Sequence, residues 1–140
     1  PDEADREAEQ RYAVAVVKNT ATETSTARDT SVLLLDPEPT FRAVLDDMQA
    51  GVATPVIARR FHNAIVGVVC MVAELSRALY GIDTVVLAGG VFMNRYLVER
   101  SLALLEQAGM RAAVNRDLPP NDGSVSFGQA VVAWAQEKAR

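Results

Sequence analysis

One stretch constrains the fold more than any other. From Asp83 the chain reads Asp83-Thr84-Val85-Val86-Leu87-Ala88, turns at Gly89-Gly90, enters a helical run, and resumes an apolar segment at Met110-Arg111-Ala112-Ala113-Val114. Two short apolar runs separated by a helix-length segment cannot close as a hairpin, so a strand–helix–strand unit with parallel strands is expected. Residues 83–88 show little polar alternation, which predicts a central strand covered on both faces. The helix is expected over residues 94–108, with Leu97, Ser101, Leu104, Leu105 and Ala108 on one face and Gly109 as its stop.

The rest of the chain is read around that unit. Residues 12–17 and 31–35 suit short strands, the second ending at Asp36-Pro37. Phe41, Val44, Leu45 and Met48 recur at helical spacing, which predicts a helix over residues 39–49. A longer helix follows, with Thr54 as cap, Pro55 in the first turn and Gly81 after its end. Its expected apolar stripe is Ile57, Phe61, Ile65, Val68, Val72, Leu75 and Leu79. A last helix over residues 124–138 is expected to bury some of Val125, Gly128, Val131, Val132 and Ala135. Trp134 and Met93 are read as packing residues. Gly128 costs about 1 kcal/mol relative to alanine inside a helix, which suggests close packing or a nearby ligand.

Composition narrows the function classes. At 140 residues and 49% hydrophobic content, the chain can bury about one domain's core. Its net charge of -4 leaves no broad basic surface for a nucleic-acid backbone, so no nucleic-acid partner is expected. One cysteine and one histidine allow neither an internal disulfide nor a zinc site from those residue types alone. Cys70 sits in an apolar run and reads as an inert thiol. The charged opening PDEADREAEQ is no signal peptide, and the apolar run around residues 65–73 meets charge too soon to span a bilayer. The expectation is a cytoplasmic protein without a membrane partner. Pro1 and the late start of organised sequence suggest a piece of something longer.

Two loops carry possible chemistry. A strand, two glycines and a helix N-terminus can cradle a phosphate through backbone N–H groups, or can simply turn the chain. Asn94 can cap the helix or give its amide to a phosphate oxygen. Asn121-Asp122-Gly123 follows the next strand and so leaves the same carboxyl edge of a parallel sheet. Asp122 can hold a metal or a ribose hydroxyl, or can make a turn and cap the last helix. His62 is a candidate general base or metal ligand, with a hydrogen-bonded packing role as the alternative. Arg59 and Arg60 read as surface arginines rather than as anion ligands. No Ser/His/Asp set, histidine pair or paired carboxylates complete an active site.

The ordered motifs Arg60-Phe61-His62-Asn63, Gly89-Gly90-Val91-Phe92-Met93-Asn94, Pro119-Pro120-Asn121-Asp122-Gly123 and Gly128-Gln129-Ala130 closely resemble the carboxyl-terminal end of the HypF-type hydrogenase maturation carbamoyltransferases, relatives of the tRNA threonylcarbamoyladenosine enzymes. The likeness runs from Leu33 to Ala135, and residues 1–30 read as a poorly matched segment or linker. It implies an α/β fold: the second lobe, over residues 31–140, of an actin, sugar-kinase and Hsp70-like domain, with a mixed sheet covered by helices. It also implies ATP or carbamoyladenylate as ligand at Gly89, Gly90, Asn94, Asp122 and Gly123. A divalent metal at Asp122 is implied only in the complete two-lobed domain. The implied activity takes carbamoyl phosphate and ATP to carbamoylate the carboxyl-terminal cysteine of a hydrogenase maturation partner. Ala88 stands where this family usually has serine, and Gly123-Ser124 where it has two glycines. The paired metal-binding histidines of a first lobe are missing, so the chain alone is expected to be inactive. The missing lobe, the remaining domains or a second copy are the expected structural partners. A truncated relative that binds nucleotide or protein without catalysis, and a fragment of a sugar or acetate kinase, are the alternatives.

Overall fold

The computed structural model describes residues 9–18 and 33–138. The chain forms two compact units, Pro1–Val68 and Val69–Arg140, divided within one long helix. Much of the 1–30 segment lies outside the described residues; its residues 9–18 belong to the first unit.

In the first unit, β1 (Ala15–Lys18) pairs antiparallel with β2 (Leu33–Asp36), Ala15 opposite Asp36 and Lys18 opposite Leu33. Asp36 ends β2 and starts the next element, because its Oδ1 accepts from the Glu38 amide at 2.9 Å. Helix α1 (Glu38–Gln49) follows with a proline in its first turn. The apolar spacing foresaw this helix but not its environment: Phe41, Leu45 and Met48 are more than half exposed. Polar groups hold the unit instead. The Thr40 hydroxyl, buried, donates to the Ala13 carbonyl at 2.6 Å.

Helix α2 (Thr54–Tyr80) is 27 residues long. The Ala53 carbonyl accepts from the amides of Val56 and Ile57, so Ala53 occupies the cap position and Thr54 lies inside the first turn. The expected stripe is also displaced. The deepest positions are Asn63, Ala64, Val66 and Ala73, whereas Val72 and Leu79 are exposed. The middle of α2 is apolar on every side, so hydrophobic spacing does not single out one face, and the small residues take the tightest approach. By length and composition alone α2 could cross a membrane, with a mean hydropathy of 1.5 over its best window, against the sequence expectation. Here the Asn63 side chain, inside that helix, is buried and donates to the Gln10 carbonyl at 2.9 Å.

Around the same stretch lies a compact ionic cluster. The Tyr12 hydroxyl and Arg60 Nη1 both donate to Asp47 Oδ2 at 2.6 Å, and Arg60 Nε and Nη2 reach Gln10 Oε1. The paired side chains of Arg60 and Asp47 are only 22% and 20% exposed. Arg60 is therefore a structural tie and not the surface arginine its sequence position suggested. The Tyr12 hydrogen bond, then Arg60, holds the Asp47 carboxyl below the usual carboxylate range. Burial, then the hydrogen bond to Asp47, raises the Tyr12 phenol.

The second unit contains the expected parallel pair. Strand β3 (Thr84–Leu87) lies beside β4 (Arg111–Val114), with Thr84 opposite Arg111 and Leu87 opposite Val114. A single 3-10 turn, Gly90–Met93, precedes helix α3 (Arg95–Gln107). Ala73 of α2, Leu87, Leu105 and Met110 form the core, with Val69, Cys70, Val85, Phe92, Leu102, Ala112 and Val114 packed against it. Leu97, Ser101 and Leu105 mark the buried stripe of α3, as the sequence spacing required. Gly109 closes α3 at φ 70°, and Arg77 Nη1 donates to the Ala108 carbonyl at its end.

Several expectations fail in this unit. Strand β3 is not covered on both faces: Leu87 is 2% exposed, but Val86, which points the other way, is 68% exposed. The helices of the unit cover only the face of Val85 and Leu87. Helix α4 (Val125–Lys138) forms where expected but buries none of its residues. Nothing lies within 4 Å of a side chain added at Gly128, so close packing within the described residues does not explain this glycine. Trp134 is exposed as well, its ring covered on one side by Lys138 Nζ at 4.4 Å. Antiparallel and parallel pairing both occur, so the mixed α/β character read from the sequence holds.

Candidate functional site

Because β3 and β4 are parallel, the Gly89-Gly90 turn and the loop after Val114 leave the same end of the sheet. A hydrogen bond ties them together: the Gly89 amide donates to the Pro120 carbonyl at 2.6 Å. The two loops that the sequence could only place on one edge are thus in direct contact. Gly89 has φ 102° and ψ 161°, a conformation open essentially to glycine alone. Gly90 is different. Its φ is ordinary, and an added Cβ would meet only the Asn121 Cβ, at 3.9 Å.

The glycines open a 3-10 turn and not the long helix directly, which corrects the strand–glycine–helix expectation. Asn94 ends that turn and caps α3, its Oδ1 accepting from the Leu97 amide at 3.3 Å. The Gly89 amide is already given to Pro120. The N–H groups of Gly90 and Val91 have no partner among the described residues, so they are the ones a ligand oxygen can use.

Asp122 does not make the turn and cap that its sequence position allowed. That role belongs to Asn121, whose Oδ1 accepts from the Gly123 amide at 3.0 Å. Sequence reasoning passed over Asn121, although asparagine is as strong a capping residue as aspartate. The Asp122 carboxylate is exposed and has no hydrogen bond or ion pair among the described residues. Gly123 opens no cavity; a side chain there would meet Asn121 Oδ1 at 3.0 Å.

His62 belongs to the first unit, whereas the other candidates belong to the second. Its Nδ1 lies 2.7 Å from the Ala58 carbonyl, which can only accept, so Nδ1 is the donor in this contact. Phe61 meets the ring edge-on at a centroid distance of 6.4 Å. Among the described residues no group of three or more His, Cys, Asp or Glu side chains could hold a metal. Asp122 offers one carboxylate. That suits a magnesium ion held chiefly by substrate phosphates, and does not make a protein-only metal centre. A groove of about 540 Å³ runs along β4 and the Leu102 and Glu106 side of α3, and none of the candidate residues lines it.

The family model described as carbamoyltransferase, Kae1-like domain, second subdomain matches residues 4–129. With the parallel unit and its joined loops, this defines the chain as a lobe of a Kae1-like α/β domain. It is 35% identical over 97 residues to carbamoyltransferase HypF of Synechocystis sp., covering 69% of this chain and 12% of that protein. It is 34% identical over 76 residues to carbamoyltransferase HypF2 of Cupriavidus necator, covering 54% of this chain and 9% of that one. A crystal structure of full-length HypF in the phosphate- and nucleotide-bound form superposes with a TM-score of 0.76 and 34% identity, over 89% of this chain and 15% of that one. The T. kodakarensis HypF structure, at 19% identity and a TM-score of 0.53 over 87% of this chain and 16% of that one, shares the fold. The chain belongs to the HypF carbamoyltransferase family, as the second subdomain of its Kae1-like domain. It spans about an eighth of the length of the Synechocystis relative.

Proposed function

We propose that this chain is the nucleotide-binding part of a carbamoyltransferase that uses carbamoyl phosphate and ATP, through carbamoyladenylate, to carbamoylate the carboxyl-terminal cysteine of a hydrogenase maturation protein. The carrying observation is the Gly89–Pro120 hydrogen bond, which joins the two loops at the carboxyl edge of the parallel strands. Family membership and a relative solved with phosphate and nucleotide support the reading. On this reading the Gly90 and Val91 amides hold phosphate oxygens, Gly90 stays bare so that the ligand can approach, and Asn94 fixes the start of α3.

In the transfer step the partner's thiolate attacks the carbamoyl carbon, a C–S bond forms, the C–O bond to phosphate breaks, and AMP leaves with the electron pair. Backbone donors at the turn stabilise the negative charge that gathers on the phosphate. A divalent cation held by phosphate oxygens and Asp122 would add charge compensation to the same group. No residue here serves as acceptor, since Cys70 packs against the core. On this reading the isolated chain is inactive because the paired metal-binding histidines belong to the first lobe, and the first lobe or the remaining domains complete it. The uncovered apolar faces of α1 and of α4 are consistent with such neighbours. A cytoplasmic site of action accompanies this reading.

The test is calorimetric titration of ATP with magnesium into a complete two-lobed domain carrying this chain. Binding that is lost in Gly89→Ala and weakened in Asp122→Ala supports the assignment. Absence of nucleotide binding by the complete domain overturns it, and phosphorylation of a small-molecule acceptor would favour the kinase alternative.

A further inference from the structure

The loop junction has a second component that the sequence did not disclose. Asn121 touches both sides of it. Its Oδ1 accepts from the Gly123 amide at 3.0 Å, which closes its own loop. Its Nδ2 donates to Met93 Sδ at 3.0 Å, which reaches the last residue of the 3-10 turn after the double glycine. The amide orientation is chemically determined, because the Gly123 N–H can only donate and must face oxygen, leaving the NH2 group toward sulfur. The Asn121 carbonyl accepts from both the Ser124 amide and the Ser124 hydroxyl. The residue before it, Pro120, receives the Gly89 amide.

The Gly90–Met93 turn is thus held at both ends by two consecutive residues, Pro120 through its backbone at Gly89 and Asn121 through its side chain at Met93. We propose that Asn121 is the positioning residue of this site, a latch that fixes the glycine turn and the Asp122 loop in one arrangement before ligand arrives. This rests on the nucleotide reading above for its functional consequence, but the latch itself exists without ligand. Only an amide meets the requirement at this position. Aspartate supplies the acceptor for Gly123 but turns a second acceptor toward the sulfur, and alanine supplies neither. Two loops ordered in advance bind without losing that freedom on association, which strengthens binding with no added contact to ligand.

The experiment has two arms. The first is amide hydrogen exchange by NMR on the 140-residue chain without nucleotide. In the parent chain the Gly89 and Gly123 amides exchange more slowly than those of Gly90 and Val91, which have no partner among the described residues. In Asn121→Ala both accelerate toward the Gly90 and Val91 rates, while core amides of α3 are unchanged. In Asn121→Asp protection returns at Gly123 but not at Gly89. Met93→Leu, which preserves volume and removes the sulfur, accelerates Gly89 and spares Gly123. Unchanged exchange at Gly89 in Asn121→Ala overturns the latch, whatever happens at Gly123, whose bond the variant removes directly. The second arm titrates ATP with magnesium into the two-lobed domain at a temperature where parent and variant are both fully folded, and there Asn121→Ala weakens binding about tenfold. An intact affinity in that variant overturns the positioning role. If the parent domain binds no nucleotide, the site reading falls, and the exchange arm still decides the latch.

Discussion

Ser101 offers a test of the packing in the second unit. It lies on the buried stripe of α3 between Leu97 and Leu105, is 0% exposed, and its hydroxyl has no hydrogen-bond partner among the described residues. A buried hydroxyl that has lost water without gaining a partner costs about 1 to 3 kcal/mol. Replacing it with alanine removes that cost and adds about 0.5 kcal/mol of helix propensity. The void left by one oxygen, about 10 to 15 Å³, takes back roughly 0.3 kcal/mol. Ser101→Ala should therefore stabilise the chain by about 1 to 3 kcal/mol. In urea denaturation followed by far-ultraviolet circular dichroism, this moves the midpoint upward by about 0.5 to 1.5 M at an ordinary slope. Leu105→Ala, at an equally buried position four residues on, should instead lose about 2 to 5 kcal/mol and serves as the opposite-sign control. A Ser101→Ala variant less stable than its parent would refute the reasoning, since it would mean the hydroxyl is satisfied.

Three further outcomes are expected. The folded Asp47 carboxyl lies below its unfolded value, so its contribution to stability is complete above the ordinary carboxylate range and is lost as pH falls through the lower, folded value. Acid titration of Tyr12→Phe should accordingly begin to unfold at higher pH than the parent, and its stability at neutral pH should drop by about 1.5 kcal/mol, the worth of a hydrogen bond to a charged group. Gly89→Ala should cost about 1 to 3 kcal/mol because alanine cannot adopt φ 102° without strain, measurable as a lowered urea midpoint. Gly90→Ala should leave that midpoint nearly unchanged, since the added methyl meets only an ordinary contact, while reducing nucleotide affinity in the two-lobed domain.

What the sequence disclosed depends on how local the cause is. Helix ends were legible where one residue sets them, as Asn94 does at the start of α3 and Gly109 at its end. The parallel strands were legible because a helix-length connection excludes a hairpin. Burial was less so. Val86, Val131 and Trp134 are apolar and exposed, because apolarity marks a surface suited to burial and does not say which neighbour covers it. Along α2 the apolar residues outnumber the positions of one face, so the buried line through Asn63, Val66 and Ala73 could not be told from its neighbours. At the site, the glycine turn and the Asn-Asp-Gly loop were each visible. Their contact was not, because Gly89 and Pro120 meet only after the strands have paired. Asn121 and not Asp122 makes the turn, and the sequence alone did not choose between them because either residue type can accept from a backbone amide two residues on.

The exposed Trp134 has an optical consequence. It is the chain's one tryptophan, it stands on a helix with no buried residue, and a lysine ammonium lies over its ring. The intrinsic emission of this protein therefore reports almost nothing about its core and almost everything about α4. Unfolding the core should barely shift the colour of the fluorescence, whereas covering α4 with another protein surface would move it toward the blue, making the helix a built-in gauge of its own occupancy.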